Sequence, residues 1–295
     1  MNTYHGGIDA GGTTFKCGIL SAAGEWVAKS RIPTSSPDET VAGCVAFFEH
    51  HALKLASLGV AAFGPVDIDP TSATYGTILE TPKPRWSGVG LKTRLDHALG
   101  VDCRFDTDVN GALTAEMIDG AAHNAQSAAY VTVGTGIGAG IFANGAMLGR
   151  PSHPEFGHIY VKRHPSDGDY KGRCPFHEDC LEGLASAGAL TDRWGDPRTW
   201  ADDHVGWDIA AHYLAQACLV LSLTVRVERI ILGGGLMLSP LMRPKVITQY
   251  LDLADGYLGQ SAAEVDKLIV TPGHGDDAGL RGAVYVGQGR QPCLR

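Results

Sequence analysis

Gly6-Gly-Ile-Asp-Ala-Gly-Gly-Thr-Thr-Phe-Lys16 is the stretch of this chain that decides the fold. A short apolar run around Ile8 ends in an acid and two adjacent glycines; two hydroxyls, a lysine and a second apolar run follow. The pattern predicts a β-hairpin with no bulky side chain at its tip. Glycines let backbone N–H groups approach an anion, and Asp9 can hold a cation directly or through water. An ordinary Gly-Gly hairpin without a ligand is the alternative.

A second strand, glycine turn and strand follow at Val131-Thr-Val-Gly-Thr-Gly-Ile-Gly-Ala-Gly140, where glycine recurs at every second residue from Gly134. The spacing differs from the G-x-G-x-x-G of dinucleotide sites, and the sequence contains no G-x-x-x-x-G-K-[ST]. A third glycine turn, Gly233-Gly-Gly235, follows the apolar run 230–232. A turn without ligand is the alternative for each one taken alone. Together they predict two related α/β units whose turns converge on one nucleotide in a cleft.

Composition limits the classes of function. A length of 295 residues suits two domains, and 24 basic against 32 acidic side chains give a net charge of −8. This balance argues against nucleic acid or an anionic membrane as the main partner. We expect no leader segment and no membrane span, because the hairpin begins at once and no apolar run reaches 18 residues. Five of the seven cysteines are scattered along the chain, which favours a reducing cytoplasm over a disulfide framework.

Hydrophobic periodicity predicts a mixed α/β chain. We expect strands near residues 8, 17–20, 25–32, 60–63, 103–106, 128–133, 141–142 and 230–232, and helices over 40–57, 91–99, 112–120 and 209–227. The predicted domains are 1–115 and 116–277, with a C-terminal helix over about 278–295 that packs back on the first domain. The nearly all-apolar helix 209–227 is buried or forms a subunit contact, which motivates the expectation of a homodimer.

Asp106-Thr-Asp-Val-Asn110 follows a predicted strand and opens a helix. Carboxylates are favoured at helix N-termini, so Asp106 or Asp108 could simply cap the helix. The functional alternative makes Asp108 a base that accepts the proton of a hydroxyl attacking a phosphorus atom. Phosphoryl transfer is loose, so an ordinary aspartate suffices for this role.

His158, Cys174, His177 and Cys180 form the most specific cluster in the sequence, with three of the residues in a C-x-x-H-x-x-C run. Four nitrogen and sulfur ligands predict a closed, structural zinc site. A Cys174–Cys180 disulfide is the alternative, and His153 and His164 compete for the place of the fourth ligand. A zinc hydrolase is disfavoured because a full ligand set leaves no position for an activated water.

The three glycine turns resemble those of the ROK family of sugar kinases, within the actin-like ATPase superfamily, and the likeness covers essentially the whole chain. It implies two RNase H-like domains with ATP and Mg²⁺ between them, and Asp108 as the catalytic base. Many relatives have Asn where this chain has Thr107, which leaves one expected sugar contact open. The resemblance implies that the following residues bind the nucleotide and its magnesium: Asp9, Gly11, Gly12, Thr13, Thr14, Lys16, Thr132, Gly134, Thr135, Gly136, Gly138, Gly188, Gly233, Gly234, Gly235, Gly275, Asp276 and Ala278.

The same resemblance extends to the sugar and the zinc. The family carries zinc in this place, usually with three cysteines, and His177 stands where a cysteine is common. Residues 81–86, Thr-Pro-Lys-Pro-Arg-Trp, are similar to a segment of bacterial ROK fructokinases, which makes D-fructose the favoured acceptor and fructose 6-phosphate the product. The implied sugar-binding residues are Thr81, Lys83, Asn110, Glu155, His158 and Glu182.

Two alternatives remain open. A ROK kinase for glucose, mannose or N-acetylmannosamine would carry the same motifs. A sugar-responsive transcriptional regulator needs an N-terminal DNA-binding segment, for which the position of Asp9 leaves no room.

Overall fold

The structure is a computed structural model that describes residues 3–149 and 152–292. It divides into two compact units. Among the described residues, the first unit contains 3–120, 149, 152–153 and 277–292, and the second contains 121–148 and 154–276. The sequence-based boundary at 115/116 differs from this division because it cuts a helix that continues to Asp119.

The strands of the described residues are, in chain order, β1 Tyr4–Ala10, β2 Thr14–Ser21, β3 Trp26–Pro33, β4 Leu55–Ala62, β5 Thr77–Ile78, β6 Val89–Gly90, β7 Cys103–Thr107, β8 Ala128–Val133, β9 Ile137–Ala143, β10 Ala146–Met147, β11 Arg229–Gly233 and β12 Ile269–Val270. The α-helices are α1 Pro37–His51, α2 Leu91–Leu99, α3 Asp108–Asp119, α4 Leu181–Ala185, α5 Ala187–Trp194, α6 Val205–Thr224, α7 Met242–Ala254, α8 Ala262–Leu268 and α9 Ala278–Gly287.

The two units contain five-stranded sheets of the same topology. In the first, the order is β3-β2-β1-β4-β7, and in the second it is β10-β9-β8-β11-β12. Each sheet has two antiparallel pairs on the hairpin side, and its last two pairs are parallel. The repeated hairpin predicted from the glycine turns is therefore present as β1–β2 and β8–β9.

Helix α9 lies against the first sheet and against α3. The approach is so close that a Cβ atom on Gly59 of β4 would lie 1.9 Å from the carbonyl oxygen of Ala283 and 2.3 Å from the nitrogen of Gly287. Val284 and Tyr285 complete the contact by packing with Leu20 in a small buried cluster. Helix α9 thus packs against the first sheet at a distance that requires glycine at position 59 of β4.

Three helices end at least three residues earlier than their patterns predict. One is α6, predicted over 209–227, which begins at Val205 and ends at Thr224; the other two are α1 and the C-terminal helix. Helix α1 stops at His51, because Ala52 adopts the left-handed conformation at φ 47° and the apolar residues after it belong to β4. The predicted helix 40–57 was therefore wrong over residues 52–57. The C-terminal helix ends at Gly287, well before residue 295, and residues 293–295, including Cys293, lie outside the described residues.

The apolar residues of α6 face the core of the second unit. Ile209, Tyr213, Leu214 and Leu221 are all buried there. Burial within the unit accounts for the apolar sequence of this helix, so it gives no separate argument for a subunit contact. Among the described residues, no helix combines the length and apolar character needed to cross a membrane.

The Gly59→Ala substitution tests the seat of α9. We expect the free energy of unfolding to fall by about 1–3 kcal/mol, because the added methyl group clashes with backbone atoms, which cannot change rotamer to avoid it. Gly90→Ala is the matched control, since its Cβ would meet no atom nearer than 3.7 Å. Urea denaturation followed by circular dichroism measures both variants. Equal midpoints for the two variants would contradict the close seat.

Candidate active site and metal centre

The tip of the first hairpin is held in shape by backbone and threonine hydrogen bonds. The N–H of Gly11 lies 3.2 Å from the carbonyl oxygen of Asp9 and 3.1 Å from that of Thr14. From β3's end, the Thr34 hydroxyl donates to the carbonyl of Gly11 at 2.8 Å, and the Thr34 N–H donates to the carbonyl of Thr13 at 3.0 Å. Within residues 3–149 and 152–292, the N–H groups of Gly12 and Thr13 donate to no protein acceptor. They are available to an anion.

The Asp9 carboxylate lies next to the tip of this hairpin, on the second-last residue of β1, 3.6 Å from the ammonium of Lys16. It also lies against the first turn of α9, where a Cβ on Gly279 would be 2.7 Å from Asp9 Oδ2. Glycine at this position therefore leaves the space that the carboxylate occupies. Mg²⁺ prefers carboxylate oxygen ligands, so the Asp9 carboxylate beside the amides of Gly12 and Thr13 is chemically suited to the predicted ion.

Asp108 is the first residue of α3, and Thr107 caps the helix by accepting a hydrogen bond from the N–H of Asn110 at 3.2 Å. Asp106 accepts from the N–H of Thr107 and from the Asn110 amide, both at 2.8 Å. The N-cap residue of α3 is therefore Thr107, and Asp108 is an acidic residue of the first helical turn. The Asn110 side-chain oxygen is buried and has no hydrogen-bond partner in the part of the chain that the structure describes.

The Asp108 side chain is half-buried, and its Oδ1 accepts a hydrogen bond from the N–H of Val109 at 2.9 Å. Desolvation by the surrounding protein raises the pKa of Asp108 to about 7, and the charge of the Asp9 carboxylate adds to the rise. A carboxyl with a pKa near neutral can both take up and release a proton at working pH. This is the property that a general base requires.

The glycine turn of the second unit joins β8 to β9. The N–H of Gly134 donates to the carbonyl of Gly136 at 2.9 Å, and Ala187 donates to the carbonyl of Gly134 at 2.8 Å. Glu182 of α4 accepts a hydrogen bond from the N–H of Ile137 at 2.8 Å. One oxygen of Glu182, predicted to bind sugar, is therefore engaged with the glycine turn.

The second unit also contains most of the predicted nucleotide residues that lie beyond the hairpin. They occur in β8, the turn after it and β9, in α5, at and directly after the end of β11, and in the short 3-10 turn before α9: Thr132, Gly134, Thr135, Gly136, Gly138, Gly188, Gly233, Gly234, Gly235, Gly275 and Asp276. The first unit contains Asp9, Gly11, Gly12, Thr13, Thr14, Lys16 and Ala278.

His158, Cys174, His177 and Cys180 meet in the second unit, with their ligand atoms all within 4.8 Å of one another. The Nδ1 atom of His158 is 3.5 Å from the Cys180 sulfur and 3.7 Å from the Cys174 sulfur, which is 3.6 Å from Nδ1 of His177. Zinc–sulfur bonds of about 2.3 Å and zinc–nitrogen bonds of about 2.0–2.1 Å place tetrahedral neighbours about 3.5 Å apart. The spacing of the four ligand atoms fits zinc.

The alternatives for this cluster do not fit. Cys174 and Cys180 are free thiols, so the disulfide alternative was wrong. His153 is not among the four residues whose ligand atoms meet, and the Nδ1 of His164 accepts a hydrogen bond from the N–H of Ser166. The loop before Cys174 is held by a buried ion pair of Arg193 with Asp167.

The predicted sugar residues are divided between the units. Thr81, Lys83 and Asn110 belong to the first. Glu155, which is exposed, belongs to the second with His158 and Glu182. Sequence reasoning missed Thr34, which braces the hairpin tip, and Gly279, which makes room for Asp9. For Gly279, its place in the glycine-rich opening of the last helix was an available signal; for Thr34, the sequence carries none.

Residues 5–289 match the ROK family model. The chain is 39% identical over 286 residues to a fructokinase of Zymomonas mobilis, with 95% of this chain and 94% of the relative covered. It is also 39% identical over 275 residues to a fructokinase of Streptococcus mutans, with 92% of each chain covered. The chain belongs to the ROK family, as the sequence motifs predicted.

Solved structures agree on the fold. A ROK family glucokinase from Streptomyces griseus, in complex with glucose and AMPPNP, matches with a TM-score of 0.77 over 98% of this chain and 100% of that chain, at 22% identity. A ROK family transcriptional regulator matches with a TM-score of 0.73 over 97% of this chain and 78% of that chain, at 19% identity. The fold is the two-domain actin-like ATPase fold of ROK sugar kinases, as expected.

The raised pKa of Asp108 predicts a pH-dependent cost to stability. The pKa of Asp108 in the folded state, about 7, lies above the ordinary value of 3.8. Ionisation of Asp108 therefore lowers the free energy of unfolding, by its full amount above pH 7 and by less as the pH falls towards 4. Asp108→Asn should therefore raise the melting temperature most at pH 8 and by progressively less at pH 6 and pH 5. Thermal melts without added Mg²⁺ measure this difference, and a gain independent of pH would contradict the assignment.

The zinc assignment predicts that Cys174→Ser loses metal, because a serine hydroxyl stays protonated at neutral pH and is a poor zinc ligand. Zinc content should fall from about one ion per chain to near zero, and the melting temperature should fall with it. Atomic emission measures the metal. Cys103→Ala, which removes a buried thiol outside the cluster, is the control and should keep its zinc; equal zinc in both variants would show that the ligand set is wrong.

Proposed function

We propose that this chain is an ATP-dependent fructokinase that transfers the γ-phosphate of ATP to the 6-hydroxyl of D-fructose. One observation carries the proposal: the half-buried Asp108 carboxyl, with a pKa near 7, lies in the same unit as a hairpin tip with free amides. The family and the fructokinases of Zymomonas mobilis and Streptococcus mutans support the choice of sugar.

In the proposed reaction the Asp108 carboxylate orients the 6-hydroxyl and accepts its proton as the oxygen attacks the γ-phosphorus. A phosphorus–oxygen bond to the sugar forms while the bond to the β–γ bridging oxygen breaks. The products are fructose 6-phosphate and ADP. Because the transition state is loose, positioning and charge stabilisation supply most of the catalysis, and Asp108 need not be a strong base.

The phosphate and metal roles follow the donors on each turn. The free amides of Gly12 and Thr13 are suited to phosphate oxygens, and Asp9 to Mg²⁺ or its water. Magnesium, when bound, neutralises charge on the phosphates. We assign the β8–β9 turn, residues 133–137, to phosphate contacts as well, and the glycine turn after β11 to the nucleoside.

Zinc is proposed as a structural ion on His158, Cys174, His177 and Cys180. Its four protein ligands leave no coordination position for substrate. Because Cys180 is followed directly by Leu181 and Glu182 of α4, the ion would fix the start of the helix whose carboxylate holds the glycine turn.

Sugar hydroxyls are proposed to bind the orphaned Asn110 oxygen and the carboxylates of Glu155 and Glu182. A buried acceptor that only a correctly placed hydroxyl satisfies rejects poorly matched ligands, since a mismatch leaves it unpaired. Thr81 is a further contact proposed from the motif alone.

We also propose a cytoplasmic location and a homodimer. Six free cysteines among the described residues, two of them in the metal cluster, suit a reducing compartment. The homodimer is tested by sedimentation velocity at micromolar concentration, where a single species at the monomer mass would contradict it.

A coupled assay of ADP release tests the function. The purified protein, given MgATP and a panel of free hexoses, should show the highest kcat/KM with fructose. Asp108→Ala should lower the turnover by about 10²–10⁴, the usual contribution of a general base, while fructose binding measured by calorimetry persists. Preference for glucose, mannose or N-acetylmannosamine would assign another ROK activity, and no turnover with any sugar would contradict the kinase.

A further inference from the structure

Lys83 reaches the tip of the phosphate hairpin. Its ammonium donates a hydrogen bond to the carbonyl oxygen of Gly12 at 2.5 Å, although 71 residues separate the two in sequence. The N–H of Gly12, like that of Thr13, donates to no protein acceptor among the described residues. The sequence motif associated Lys83 with sugar binding. Its ammonium instead lies at the tip of the first hairpin, beside the amides suited to an anion.

The loop that carries Lys83 is fixed to the same core as the hairpin. Trp86 is wholly buried, its ring centroid lies 5.4 Å from that of Phe15 in β2 and 5.6 Å from that of Phe63, and its indole N–H donates to the Ser35 carbonyl at 3.0 Å. Pro82 and Pro84 restrict the backbone on both sides of Lys83. Loop and hairpin are therefore one braced element, and the ammonium is held near the tip by more than its own hydrogen bond.

The charge of Lys83 is not neutralised by the protein. Among the described residues no carboxylate forms an ion pair with it, whereas Lys16, on the same hairpin, lies 3.6 Å from Asp9. An ammonium has three donors, and the Gly12 carbonyl takes one of them. Two donors and a full positive charge remain for a ligand.

We propose that Lys83 binds the phosphoryl group that leaves ATP, and that it belongs to the phosphate site and not to the sugar site. This inference rests on the proposed kinase function. The ammonium and the free amides of Gly12 and Thr13 offer donors only, which matches a phosphoryl group with three charged acceptor oxygens. A sugar hydroxyl is neutral and is recognised by acceptors as well as donors.

The test measures binding, so that it does not depend on turnover. AMPPNP has a γ-phosphoryl group and ADP has none; calorimetry with each nucleotide in the presence of Mg²⁺ isolates the contact. In Lys83→Met, AMPPNP affinity should fall at least about tenfold, the size of a hydrogen bond to a charged group. The affinities for ADP and fructose should stay within about twofold, a difference near 0.4 kcal/mol.

Two further variants control the experiment. Lys83→Arg keeps the charge and should recover part of the AMPPNP affinity. Lys54→Met removes an exposed lysine elsewhere in the unit and should leave all three affinities unchanged. Equal melting temperatures for the Lys83 and Lys54 variants show that a folding defect does not cause the loss.

Either of two results overturns the inference. Weaker fructose binding with an unchanged AMPPNP-to-ADP ratio would make Lys83 a sugar residue, and no change in any affinity would make it structural. The outcome is separate from that of the proposed function, because selective loss of AMPPNP affinity would support the phosphate role even if the hexose panel gave no product.

Discussion

The site depends on the close seating of α9 against the first sheet. Without a side chain on Gly59, the helix backbone comes into direct contact with β4. At the first turn of the same helix, Gly279 leaves the space filled by the Asp9 carboxylate. A segment from the far end of the chain thereby sets the position of a side chain near its beginning. Small residues here serve geometry, because any larger side chain would move helix, sheet and carboxylate apart.

The two units share one sheet topology, but different side chains contact the glycine turn in each. Both sheets begin with an antiparallel hairpin that has glycine at its turn, followed by two parallel pairs. In the first unit the turn is braced by Thr34 and approached by Lys83. In the second, Glu182 holds the turn directly after the Cys180 ligand. The same topology thus has a lysine-bearing loop beside the turn in one unit and, in the other, a Cys/His cluster directly before the helix that holds the turn.

The hydrophobic pattern of the sequence predicted correctly those helices and strands whose ends depend on neighbouring residues. Helix α2 and strand β8 have the predicted bounds, Leu91–Leu99 and Ala128–Val133, because their hydrophobic periodicity agrees with their ends. Residues 40–57 failed at the end, since apolar residues at helical spacing also suit a strand, and Ala52 ends α1. The Cys/His cluster was evident from the spacing of its residues in the sequence. The contact of Lys83 with Gly12 and the room that Gly279 leaves for Asp9 could not be predicted, because both join segments far apart in sequence.

The proposed reaction depends on the distance between Asp108 and the hydroxyl that receives the phosphoryl group. The most direct measurement is a crystal structure of the wild-type chain with fructose and AMPPNP bound together. It should place a carboxylate oxygen of Asp108 about 2.6–3.2 Å from the oxygen on carbon 6 of fructose, with that oxygen facing the γ-phosphorus. A bound sugar whose 6-hydroxyl meets a different side chain, or an Asp108 carboxylate beyond hydrogen-bond reach of any sugar oxygen, would contradict the proposed reaction.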